Sequence, residues 1–127
     1  MSESAEQMKV VEWCRVTDYV SGNRLGTGLI FHIPNGGWRS KAEAAQLKAM
    51  GVRAGVSDLF LPLPSNGKSG LWIEMKAASE PGRSSGGRLS DEQGGWLAEM
   101  NARGYGAICA FGADQAIDAI KAYLGLA

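Results

Sequence analysis

Two β-type runs, "DLFLPLP" at 58–64 and "LWIEMK" at 71–76, flank "SNGKSG", whose Asn66-Gly67 pair is a strong two-residue turn signal. An antiparallel hairpin is predicted there. It constrains the chain more than any other feature, because paired strands commit two backbones to each other and leave two faces that the other segments must cover. The prolines of the first run, Pro62 and Pro64, place its far end at an edge or a bulge, since proline cannot donate to a ladder.

Around the hairpin, the spacing of Met8, Val11 and Cys14, and of Val10, Trp13 and Val16, predicts a helix over 3–16 with a broad apolar face. The turn-rich "DYVSGNRLGTG" follows, then a short strand "LIFHI" closed by Pro34 and Gly36-Gly37. Ser40 caps an alanine-rich second helix that stops at Gly51. After the hairpin, "AASEPGRSSGGR" reads as a mobile Gly/Ser-rich loop. Ser90 then opens a third helix ended by Gly104, and strand "YGAICAF" and helix "DQAIDAIKAYLG" complete the chain. The order αβαββαβα, without internal repeats, predicts a small mixed β-sheet flanked by helices, an α/β fold. At 127 residues and 45% apolar, the chain holds enough for one core, so 1–127 is read as a single domain.

The strand period of two sends Leu71, Ile73 and Met75 to one face and Trp72, Glu74 and Lys76 to the other. The Leu71 face is expected to be core. An isolated E-x-K on the opposite face most simply meets water, but antiparallel pairing can bring Asp58, at the start of the partner strand, close to Glu74. Two neighbouring carboxylates repel unless a cation lies between them. A hard divalent ion held by Asp58, Glu74 and a nearby main-chain carbonyl, that of Met75, removes the repulsion. Lys76 can then hold or polarise a water, or steady the charge that builds on a phosphate under attack. Gln93 either orients Lys76 or a water, or only completes a capping box with Ser90.

Several stretches in order, "ESAEQ", "HIPNGGWRS", "LKAMGVRAGVSDLFLPLP", "GLWIEMK", "LSDEQGGWL" and "GYGAICAFGADQAIDAIKAYL", resemble the virus-type replication-repair nuclease (VRR-NUC) domain of the PD-(D/E)XK phosphodiesterase superfamily. The resemblance implies a PD-(D/E)XK core in which Asp58 and Glu74 bind metal, Lys76 is the catalytic lysine and Gln93 the helix glutamine. It also implies an acid on the first helix, at Glu3 with Gln7 one turn later, or at Glu6 after a small shift. The usual proline before the aspartate is here Ser57, a position without a chemical role. The implied activity is Mg²⁺- or Mn²⁺-dependent hydrolysis of DNA phosphodiesters to 5′-phosphate and 3′-hydroxyl ends. Single-domain members look like homodimeric resolvases of four-way junctions, and a phage or prophage origin is implied. Flaps, nicked or duplex DNA are the alternative substrates. A DNA-binding module with a vestigial site is the alternative of another class.

Charge and composition fit these expectations. Net charge is zero, yet residues 39–88 hold eight Lys/Arg against four acids, a basic middle suited to an anionic ligand. Within it, Asn35 and the two glycines after it predict a tight turn, Arg39 and Lys41 are candidate phosphate contacts, and Arg53 is another. Trp38, Trp72 and Trp96 either stack on bases or pack in the core or an interface. One histidine, His32, excludes a His-rich zinc site, and Cys14 and Cys109 lack metal-type spacing and read as reduced core residues. No secretory signal pattern and no run of 18 apolar residues is present, so a cytoplasmic protein with no membrane partner is expected.

Overall fold

A computed structural model describes residues 1–78 and 87–127; most of the glycine- and serine-rich loop expected after the hairpin lies outside the described residues. The elements are α1 (Glu3–Val20), a 3₁₀ turn (Thr27–Leu29), β1 (Phe31–His32), α2 (Lys41–Ala49), β2 (Leu59–Leu61), β3 (Leu71–Lys76), α3 (Asp91–Ala102), β4 (Gly106–Phe111) and α4 (Ala113–Leu124). Four strands form one sheet in the order β1-β2-β3-β4. The first three run antiparallel, and β4 lies parallel to β3, which α3 makes possible by carrying the chain back across the sheet.

The hairpin forms as predicted, with Leu59 opposite Ile73 and Leu61 opposite Leu71. Asn66 and Gly67 both take positive φ, and Ser65 and Lys68 exchange backbone hydrogen bonds of 3.0 and 2.9 Å, the pattern of a type I′ turn. Pairing between β2 and β3 stops at Leu61, one residue before Pro62.

Leu59, Leu61, Leu71, Ile73 and Met75 point to one face, where they pack with Val10 and Cys14 of α1 and with Ala113, Ala116 and Ile120 of α4. The opposite face is not open to water. Phe60, Trp72 and Trp96 of α3 form an aromatic layer with ring centroids 4.3 Å and 5.2 Å apart, which Phe31 and Tyr105 extend. Trp72 and Trp96 are therefore packing residues.

Three expectations are corrected. α1 runs four residues beyond Val16, through the segment read as turn-rich, because Asp18 continues the buried stripe of Glu6, Val10 and Cys14 at helical spacing. A carboxylate in that position looks exposed in the sequence. In the fold it accepts the N–H groups of Gly26 and Gly28, both at 2.9 Å, and pins the following turn. The apolar face of α1 is also narrower than its sequence suggests: Met8 and Val16 stay exposed. The strand expected over "LIFHI" shrinks to Phe31–His32, since Thr27 donates to the Cys14 carbonyl at 2.7 Å and holds the preceding residues in the 3₁₀ turn.

α1, α3 and α4 cover the sheet, but α2 does not. Capped by Ser40 and followed by Gly51 at φ 112°, it is a well-delimited helix with no buried residue, standing off the body of the domain. Cys14 is core, whereas Cys109 on β4 is only half-buried, opposite Glu74 in the parallel ladder.

Candidate active site

Continuing the hairpin register one step past the Leu59–Ile73 pair brings Asp58 opposite Glu74 on the face that carries Trp72. The Asp58 carboxylate accepts the Met75 N–H at 2.7 Å, which fixes it beside the next strand. Glu74 is 2% exposed and Lys76 8% exposed, so the two charges that looked solvated are buried. Burial alone is unfavourable for both.

Gln93 compensates them. Its Nε2 donates to Glu74 Oε2 at 3.2 Å, and its Oε1 accepts from Lys76 Nζ at 3.1 Å, so one amide ties acid and base together. The same Oε1 accepts the Ser90 N–H at 2.9 Å while Ser90 Oγ caps the Gln93 N–H at 3.1 Å. The two readings of Gln93, helix cap and orienting amide, are thus one arrangement: the cap sets the amide where it reaches the strand.

Above this cluster opens a cavity of about 620 Å³, lined among others by Glu3, Gln7, His32, Asn35, Asp58, Glu74, Glu92 and Gln93. Glu3 is the first-helix acid that faces it. Glu6 is turned the other way, buried against α4, where its carboxylate accepts the Ala113 N–H at that helix's first turn. Gly112 is needed for this approach, because a Cβ there would stand 2.9 Å from Glu6 Oε2. On the far wall, Gly55 has φ 88°, and a Cβ there would lie 2.4 Å from the backbone of Glu92, so the chain leading to Asp58 is held tightly against the start of α3.

The expected phosphate contacts divide. Asn35 lines the cavity, with its amide donating to the Arg53 carbonyl at 3.0 Å. The Arg53 guanidinium lies over Trp96, 5.6 Å from the ring centroid, in a smaller hollow next door. Arg39 and Lys41 do not line the cavity. His32, dismissed as a metal ligand in the sequence, belongs to the cavity: its Nδ1 lies 2.7 Å from the Asp58 carbonyl oxygen. A carbonyl only accepts, so Nδ1 carries the proton, and Nε2 has no hydrogen-bond partner among the described residues. The pairing of His32 with Leu59, one residue from Asp58, is the contact that the unpaired sequence could not display. Ser57, where the family usually has proline, is fully buried, with no partner for its hydroxyl among the described residues.

Burial first, then the hydrogen bond and charge of Asp58, push the Glu74 carboxyl up from 4.5 to about 8, while Lys76 pulls it down. The folded protein therefore retains a proton at Glu74 between these values that the unfolded chain has released. Stability from this group is present below pH 4.5 and is lost as pH rises through about 8. Thermal melts in EDTA are expected to show falling stability from pH 5 to 8, and millimolar Mg²⁺ or Mn²⁺ to raise the melting temperature at pH 8 with little effect at pH 5.

That site chemistry also tests the fit of a divalent cation. Among the described residues no three His, Cys, Asp or Glu side chains form a closed cage. Asp58 and Glu74 do form an all-oxygen pair that needs either a proton or a cation, with Glu3 on the same cavity wall. The donor set fits a hard ion completed by main-chain oxygen, water and substrate.

An αβαββαβα core with an aspartate immediately ahead of one hairpin strand and Glu-x-Lys on the next is that of the PD-(D/E)XK class of phosphodiesterase fold. Within that class, the VRR-NUC domain family model matches residues 3–114, and the chain belongs to this family of nucleases. A solved structure described as a VRR_NUC domain protein is similar, with 29% identity and a TM-score of 0.79 over 99% of this chain and 90% of that one. No curated protein matches the chain. Among the described residues no helix is long and apolar enough to cross a membrane.

Proposed function

We propose that the protein is a divalent-metal-dependent DNA endonuclease that acts as a homodimer on four-way junctions, as a single domain over residues 1–127. The observation that carries the catalytic part is the buried cluster in which Gln93 joins Lys76 to Glu74 beside Asp58. Asp58, Glu74 and the Met75 main-chain carbonyl are the residues that would hold Mg²⁺ or Mn²⁺. Such an ion supplies charge neutralisation at the phosphodiester and a more acidic water.

The chain's own residues do the rest. Lys76, held by Gln93 beside Glu74, stabilises the negative charge that develops on the phosphate or on the attacking water. Glu3 and His32 Nε2 face the same space and can hold waters of the reacting layer by hydrogen bonds. Asn35 on the cavity wall, Arg53 in the hollow next door, and Arg39 and Lys41 on the chain that follows Asn35 are the groups that would meet the phosphate backbone.

The homodimer has support from the surface of α1. Met8, Val16, Tyr19 and Val20 are exposed along it, with Leu29 beside Tyr19 on the wall of a shared hollow. Glu12 and Arg15 lie within this strip. Two antiparallel copies would set the Glu12 of each against the Arg15 of the other, a self-complementary pairing of the kind a two-fold axis requires. Two sites related by such an axis match the two strands cut in a symmetric junction.

A panel of labelled junction, flap, splayed and duplex DNAs, together with light scattering, tests this reading. Symmetric paired cuts in the junction by a dimer are expected. A clean monomer at micromolar concentration, or preferential cutting of flaps or duplex, would sink the junction assignment while leaving the nuclease.

A further inference from the structure

The sequence contains three tryptophans whose roles as base-stacking or packing residues could not be separated, and the fold separates them. Trp72 and Trp96 lock into the aromatic layer beneath α3. Trp38 is 89% exposed, follows Gly36 and Gly37 in the loop between β1 and α2, and makes no aromatic contact among the described residues.

Its loop is anchored at the base and free at the tip. Ile33 donates to the Asp58 carbonyl at 2.9 Å and Asn35 to the Arg53 carbonyl at 3.0 Å, so the base is fastened to the segment that presents Asp58. Beyond it, Gly37 takes φ 98°, and a Cβ there or on Gly36 would meet nothing within 4 Å. Gly37 therefore supplies a left-handed turn in open space immediately before Trp38. Trp38 lies three residues past Asn35 on the cavity wall, within about 11 Å along the chain. That reach corresponds to roughly one to three nucleotides of a DNA strand.

The surroundings are basic. Residues 31–53 hold Arg39, Lys41, Lys48 and Arg53 against Glu43 alone, in a chain of zero net charge. Glu43 itself is bonded to Ser40 Oγ at 3.1 Å as part of the α2 cap. An exposed indole flanked by cations at the rim of a phosphodiesterase cavity matches the combination that holds a strand by stacking one base and neutralising its phosphates.

On the nuclease reading above, we propose that Trp38 is a stacking platform for an unpaired base beside the scissile phosphate, with Arg39 and Lys41 on the adjoining backbone. In a continuous duplex both faces of each base are covered by neighbours, and an indole finds no π-face. At a branch point or on a single strand a face is free. Trp38 thus biases this enzyme toward DNA with an opened base next to the cut.

The test uses the full chain and two DNAs of equal length, one fully paired and one with splayed arms carrying 2-aminopurine at the unpaired positions nearest the branch. Both are titrated in EDTA, where the ion needed for cutting is removed. Wild type is expected to quench the 2-aminopurine. Trp38→Ala is expected to lose that quenching and to bind splayed DNA about tenfold more weakly, with duplex affinity changed less than about twofold. Trp38→Phe is expected to keep most of the preference.

Equal loss on both DNAs, no loss on either, or a changed oligomeric state in Trp38→Ala would overturn the assignment, the last by placing Trp38 in a protein interface. Cleavage is scored separately in Mn²⁺ with wild type and Lys76→Ala. No cleavage by either protein there overturns the nuclease reading, whereas base binding in EDTA decides Trp38 alone.

Discussion

Lys76→Ala is expected to cut DNA about a thousandfold more slowly than wild type, or worse, in single-turnover assays with saturating Mn²⁺, while DNA affinity changes less than about threefold. The size of the effect follows from where the ammonium lies. Lys76 is 8% exposed, and its Nζ is held at 3.1 Å by Gln93 Oε1, whose partner nitrogen reaches Glu74 at 3.2 Å. A charge fixed in a poorly hydrated site acts on a reacting phosphate far more strongly than the same charge in water.

Arginine is not expected to rescue. A planar guanidinium cannot place a compact charge where Gln93 receives an ammonium, so Lys76→Arg is also expected to lose at least about a hundredfold. The outcome separates an enzyme from a DNA-binding module with a decayed site: wild type and Lys76→Ala equally inactive, with both still binding DNA, would leave only the module.

Glu6 and Glu3 are expected to fail in opposite ways. Glu6→Ala should cost about 2–3 kcal/mol, near 10 °C in melting temperature, because it removes a charged acceptor from a buried N–H at the start of α4. α4 carries Ala113, Ala116 and Ile120 of the core, so the loss falls on the global fold. Glu6→Gln should recover about half, since the amide oxygen still accepts but without charge.

Glu3→Ala, by contrast, should leave the melting temperature within about 2 °C and slow cleavage about tenfold or more, since Glu3 is exposed on the cavity wall and caps nothing. Thermal melts and rates on the same preparations check both. If Glu6→Ala melts normally and loses only activity, the assignment of the two acids is reversed.

These two acids show what the chain's pattern could and could not display. In "ESAEQ" both look like first-turn acids favoured by the helix dipole. They are separated by about sixty degrees around α1, and only the packing of α4 decides which side is buried. The same holds for Asp18, which opens the turn-rich segment in the sequence and lies inside the helix in the fold, where it anchors Gly26 and Gly28. His32 was set aside because one histidine makes no zinc site, yet strand pairing carries it to the Asp58 carbonyl.

Local chemistry was enough for much else. Asn66-Gly67 specified its turn, because both residues tolerate positive φ where most do not. Ser40 and Ser90 marked helix starts, and Gly51 and Gly104 marked ends, because caps and left-handed stops depend on single residue types. The alternation in "LWIEMK" put Glu74 and Lys76 on one face, and the hairpin brought Asp58 toward them.

What the sequence by itself determined, then, is the αβαββαβα order, the hairpin and the placing of Glu74 and Lys76 on one strand face within reach of Asp58, because each is encoded by local residue preference or strand periodicity. Tertiary structure decided which carboxylates are structural and which face the cavity, that Glu74 and Lys76 are buried, that α2 stands apart and that Trp38 alone among the three candidate tryptophans is exposed. Those depend on contacts between residues up to 107 positions apart, such as Glu6 with Ala113, and no local pattern records them.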